Sequence, residues 1–173
     1  MKPRVSYKFI IFSTVYAFFL ASIFHFVYGW FGPNFILSLF FPVNESVFEH
    51  LKLILYPILL AWICCYKMID IPNSINLWTR FTGAFISIEI CKYTVLSVYY
   101  ILYGGFLFES DVVNITALFV GMLLGQIVAS RIVTLYKIPK WIGICSLLLL
   151  IGMGILLAYF SLNPLPYPIM ISN

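Results

Sequence analysis

Charge is what this 173-residue chain has least of: Asp, Glu, Lys and Arg together make up 9% of it, about a third of the ~25% usual in soluble domains. That scarcity excludes a surface solvated all round. Hydrophobic residues make up 63%, and apolar runs of about 18 residues or more recur, so lipid is the solvent for most of the surface. The formal charge of +4 is scattered and forms no basic stripe, which argues against a nucleic-acid partner. No C-x-x-C pair is present; Cys64, Cys65, Cys91 and Cys145 all lie inside apolar segments. They read as inert membrane-buried thiols, with neither a disulfide framework nor a zinc ribbon. The opening "MKPRVSYKFIIFSTVYAFFLASIF" imitates a signal peptide but has no clear A-x-A cleavage site, and its apolar run continues to Trp30. An uncleaved first span fits better. No internal repeat is visible, and the length suits a single membrane domain over 1–173.

What is present is an all-α pattern: a polytopic bundle of five transmembrane spans, at about 7–30, 45–68, 80–103, 111–136 and 141–162. The breaks carry turn chemistry: "FGPN", "DIPNS", "GG" followed by "ESD", and "KIPK", with a Pro-rich tail "NPLPYPIMISN". Residues 31–43 are too few to span, and read as an interfacial or re-entrant segment. Lys2, Arg4, Lys8, Lys67, Arg80, Arg131, Lys137 and Lys140 fall on one side of this topology. The positive-inside rule therefore expects a cytoplasmic N-terminus, an external C-terminus and a multi-pass protein of the cell membrane. Glu45, Glu49, Glu109 and Asp111 fall on the other side.

One stretch concentrates the scarce charge: "FPVNESVFEHLKLILYP". Helix capping explains part of it. Asn44 is a suitable N-cap, Pro42 discourages earlier helix, and Glu45 and Glu49 suit the positive end of the helix dipole. Glu49 and Lys52 are spaced to pair. Capping does not explain the wheel. At ~100° per residue, Lys52, Glu45 and Glu49 share about 60° of arc, which Ser46 and His50 extend to about 160°. Such a face turns away from lipid, toward protein or a wet cavity. Two carboxylates and a histidine suit a divalent metal, zinc foremost, or metal-free acid–base work by Glu45, Glu49 and His50. The spacing is not the H-E-x-x-H of zincins. His25 and Asp111 are expected at the same membrane depth. The candidate metal set is thus His25, Glu45, Glu49, His50 and Asp111, with Asn44, Ser46 and Lys52 as structural neighbours.

Other polar residues have quieter readings. Glu89 and Lys92 form a neutralising intrahelical pair, a relay being the sharper alternative. "YYILYGG" suits an interfacial aromatic belt, with the Tyr100 hydroxyl available to the polar mouth. Gly121 and Gly125 form a G-x-x-x-G packing signal.

"PVNESVFEHLKL" resembles the hallmark of a family of small bacterial integral membrane proteins classed as a domain of unknown function, whose members typically carry Trp where this chain has Phe48. "YYILYGG" and "DVVNITALFVGMLLGQIVASRIV" are similar to that family's later segments, and "AYFSLNPLPYP" loosely resembles its Pro-rich end, without the double proline. The resemblance implies a shared fold and topology and no activity.

Three functions follow as expectations. One is a metal-assisted hydrolase or transferase working at the outer leaflet on a lipid-like or membrane-embedded substrate. The second is a non-catalytic partner subunit or ligand sensor whose polar mouth is a structural network. The third, a small transporter, has few charged residues through the membrane centre and no inverted repeat to support it.

Overall fold

Residues 7–65, 76–108 and 110–164 are described by the computed structural model. The chain is all-helical: α1 (Tyr7–Phe31), α2 (Phe35–Phe40), α3 (Val47–Cys64), α4 (Leu77–Tyr99), α5 (Asp111–Leu135) and α6 (Lys140–Leu162). A π-helical turn, Tyr100–Gly105, continues α4. Among the described residues, five helices are long and apolar enough to cross a membrane: α1, α3, α4 with its π turn, α5 and α6. In a bilayer this is the expected solution, because each helix satisfies its own backbone where no water is available. The end expected for the second span (66–68), Lys2, Arg4, Lys67, Asp70, Glu109 and the tail beyond Pro164 lie outside the described residues.

Two boundaries differ from expectation for the same reason, the position of the cap. α3 starts at Val47 because Ser46 is its N-cap, its hydroxyl accepting from the Glu49 N–H at 3.3 Å. Asn44 is therefore not the cap. Its Oδ1 accepts from the Ser46 N–H at 2.9 Å and folds the approach to the helix. α4 starts at Leu77 rather than near residue 80 because Asn76 Oδ1 accepts from the Thr79 N–H at 2.9 Å.

The helices run up and down. Phe9 near the start of α1 meets Trp62 near the end of α3, whereas His25 meets His50 near the start of α3. α6 runs antiparallel to α3, with Gly154 beside Tyr56 and Phe160 beside Phe48. The α4–α5 pair is the closest. A Cβ on Gly125 would stand 2.5 Å from the Ser87 carbonyl oxygen, and one on Gly121 would stand 3.2 Å from that of Cys91. The G-x-x-x-G signal thus serves packing within the chain. Trp62, fully buried, fills the centre; its Nε1 donates to Ser87 Oγ (2.9 Å), which donates to the Gly125 carbonyl (3.2 Å).

This alternation gathers the ends of α1, α4 and α6 and the starts of α3 and α5 at one end of the bundle. α2, from the segment expected to be interfacial or re-entrant, packs there against α6 and α1. Its first turn is capped by Asn34, whose Oδ1 accepts from the Ile36 N–H at 2.8 Å.

Candidate functional site

The polar stretch divides into two groups with different chemistry. The inner group is built on Glu49 and Lys52, one turn apart on the buried face of α3. Lys52 Nζ donates to Glu49 Oε2 (2.7 Å), to the Ser38 carbonyl (2.6 Å) and to the Phe41 carbonyl (3.1 Å). An ammonium has three protons, and all three are used. Tyr56 adds a fourth tie, its hydroxyl donating to the Leu39 carbonyl at 3.0 Å. These carbonyls are the orphan acceptors at the end of α2, where the helix dipole also favours a cation. Lys52 and Tyr56 therefore fasten α2 to α3.

Glu49 is equally occupied. Its Oε2 also accepts from the Val43 N–H at 3.0 Å, and its Oε1 accepts from the Ser161 hydroxyl at 2.5 Å. Ser161, in the last turn of α6, is a member of this network that the sequence reading missed. A single serine in an apolar helix end, 112 residues from Glu49, carries no local signal of such a contact.

The outer group is His25, Glu45 and His50. Each offers one ligand atom, and these atoms lie within 4.8 Å of one another. His50 is held by backbone. Its Nδ1 lies 2.8 Å from the Ser46 carbonyl, which only accepts, so Nδ1 carries the proton; this assigns the tautomer by its partner. Nε2 is then the bare nitrogen and lies 3.4 Å from Glu45 Oε2, with His25 Nε2 3.8 Å from the same oxygen. The two imidazole centroids are 5.2 Å apart. Bonds of ~2.0–2.2 Å in a tetrahedral zinc site place ligand atoms about 3.3–3.6 Å apart. The two contacts to Glu45 are near that spacing, and the third pair lies within 4.8 Å. The helices supply the positions: His25 from the last turns of α1, Glu45 from the residue before the α3 cap, His50 from the first turn of α3.

The remaining candidates stand elsewhere. Glu49 faces Lys52, Val43 and Ser161 and does not join the outer group. Asp111, the exposed first residue of α5, lies at the same end of the bundle but outside it. Tyr100 is exposed and packs edge-on against Tyr99. Glu89 and Lys92 close on each other in α4 at 2.7 and 2.8 Å, the pair expected from their spacing.

Five helices long and apolar enough to span, with a closed ion-pair network and a His–Glu–His cluster at one end, define a polytopic helical membrane protein. The chain belongs to the family of unknown function DUF6512, which matches it over residues 1–173. No curated protein and no solved structure matches it.

Proposed function

We propose that this protein is a metal-assisted hydrolase or transferase of the membrane, with His25, Glu45 and His50 holding one divalent cation, zinc by preference. The observation that carries this reading is the fixed tautomer of His50. A histidine that gives Nδ1–H to a backbone carbonyl and turns a bare Nε2 to its neighbours has the usual arrangement of a metal ligand and its orienting partner. Two histidines and one carboxylate match the ligand set of catalytic zinc, with a fourth position open. A cation there would polarise a carbonyl or phosphoryl oxygen and lower the pKa of a bound water. In this reading Glu49 is a positioning residue. Its carboxylate ties the start of α3 to α6 and to the loop before Glu45, and leaves the chemistry to Glu45 and His50.

A second reading rests on the same contact. Both histidines lie within ion-pair distance of Glu45, a contact that needs no metal. The group is then a structural polar network in a non-catalytic subunit or sensor. Transport has less support, because the two described Lys–Glu pairs within the spanning helices, Glu49–Lys52 and Glu89–Lys92, are each closed on themselves.

Elemental analysis of the purified protein after zinc supplementation separates the first two. The metal reading expects about one zinc per chain, lost in His25→Ala and His50→Ala with the helical circular dichroism unchanged. Folded wild-type protein without stoichiometric metal would overturn it in favour of the structural network.

A further inference from the structure

The position of the outer group relative to the lipid-facing surface of α1 bears on what reaches it. The His25 ring meets Phe26 edge-on, centroids 4.8 Å apart, and Phe26 stacks on Trp30 one turn further along at 6.0 Å. Phe26 and Trp30 are 53% and 65% exposed, on a helix long and apolar enough to cross a membrane. An aromatic file therefore runs from the end of α1 back to a candidate ligand along an open face of the helix, with His25 itself part exposed at its head.

Charge narrows the guest. Glu49 and Lys52 cancel within the inner group, and the Lys52 ammonium has no proton left to offer. A divalent cation beside the Glu45 carboxylate leaves a net charge of about +1. That balance takes one anionic oxygen group, and it offers no second cation for the further charges of a diphosphate.

Resting on the metal reading above, we propose that the open position receives the anionic head of a membrane amphiphile, a carboxylate or a singly charged phosphoryl group. It enters sideways from the bilayer past Phe26 and Trp30, its chain still in lipid.

The test uses full-length protein in phosphatidylcholine nanodiscs, loaded with cobalt(II) as a spectroscopic replacement for zinc. Dodecanoate, dodecanol, dodecyltrimethylammonium and acetate are each titrated against the cobalt absorption band. A guest that keeps its chain in the bilayer binds with the partition energy of that chain retained. Dodecanoate is therefore expected to shift the band at a free aqueous concentration at least about a hundredfold below that of acetate. Dodecanol and dodecyltrimethylammonium, at the same fraction of the bilayer, are expected to leave it unmoved. Equal potency of acetate and dodecanoate against free concentration would mean entry from water and would overturn the proposal. A response to dodecanol equal to that of dodecanoate would overturn the charge argument, and silence from all four would overturn the proposal outright. Failure of cobalt to bind at all is a different result, and removes the metal reading beneath it.

Discussion

Lys52 Nζ lies 2.7 Å from Glu49 Oε2, with the two side chains 0% and 3% exposed. This is a closed ion pair inside the end of a membrane bundle, and each partner is also bonded to backbone of the segment that carries α2. The pair therefore acts as a buckle between α2, α3 and α6. Its charges neither reach the His–Glu–His group nor remain available to a ligand.

Breaking one side of that buckle strands the other. Glu49→Gln leaves a buried ammonium without its counterion, a class of change that costs about 3–5 kcal/mol. Lys52→Met strands the carboxylate and the α2 carbonyls at a similar cost. The double variant Glu49→Gln/Lys52→Met is expected to lose clearly less than the two single losses combined, because neither charge is left alone. Unfolding in mixed detergent micelles measures all three, and simple additivity would show that the pair is not coupled.

The cap predicts a separation of stability from metal binding. Ser46→Ala removes the oxygen that holds the Glu49 N–H and is expected to cost about 1 kcal/mol. It leaves the Ser46 carbonyl, and therefore the orientation of His50, in place. Zinc content of the variant should stay at the wild-type value while its unfolding midpoint falls. Loss of metal along with stability would show that the hydroxyl matters to the site itself.

How much of this could be read from the sequence depends on distance along the chain. The spanning helices are legible because each is a long apolar run, a signal written locally. The Glu49–Lys52 and Glu89–Lys92 pairs are legible for the same reason, being three residues apart. The start of α3 falls two residues later than its sequence suggests because Asn44 and Ser46 are both good caps, and only the folded geometry chooses between them. Lys52's carbonyl partners and Ser161 were illegible. Their contacts exist only after the loop before α3 closes and α6 docks, and a main-chain carbonyl has no sequence signature. The wheel placed Glu49 and His50 on one arc, which is correct for a continuous helix. Yet Glu49 turns to Lys52 and Ser161 while His50 turns to Glu45, which lies outside the helix.

Glycines distinguish contact from mere tolerance. Gly125→Ala would drive a methyl to 2.5 Å from the Ser87 carbonyl oxygen, and Gly143→Ala would do the same at 2.6 Å from that of Trp78. Both neighbours are backbone of α4 and cannot turn aside, so each variant is expected to lose about 1–3 kcal/mol. Gly152→Ala meets nothing within 4 Å and should be neutral or gain up to about 1 kcal/mol from helix propensity. Comparing the three unfolding midpoints checks whether α4 packs on α5 and α6 as described.

Gln126 poses the opposite problem. It is fully buried in α5, and among the described residues neither Oε1 nor Nε2 has a hydrogen-bond partner; Ser130 Oγ, one turn along, has none there either. An amide withdrawn from water without compensation costs ~1–3 kcal/mol by protein mutational measures. A stability role for its polar atoms predicts that removing them hurts. The packing instead predicts that Gln126→Met, which keeps length and volume while discarding the unpaired polar atoms, raises the unfolding free energy by about 1 kcal/mol. Ser130→Ala should be close to neutral. If both variants are destabilised, and by less in combination than separately added, a shared water or ion bridges the two side chains and the dry packing of this part of the core is wrong.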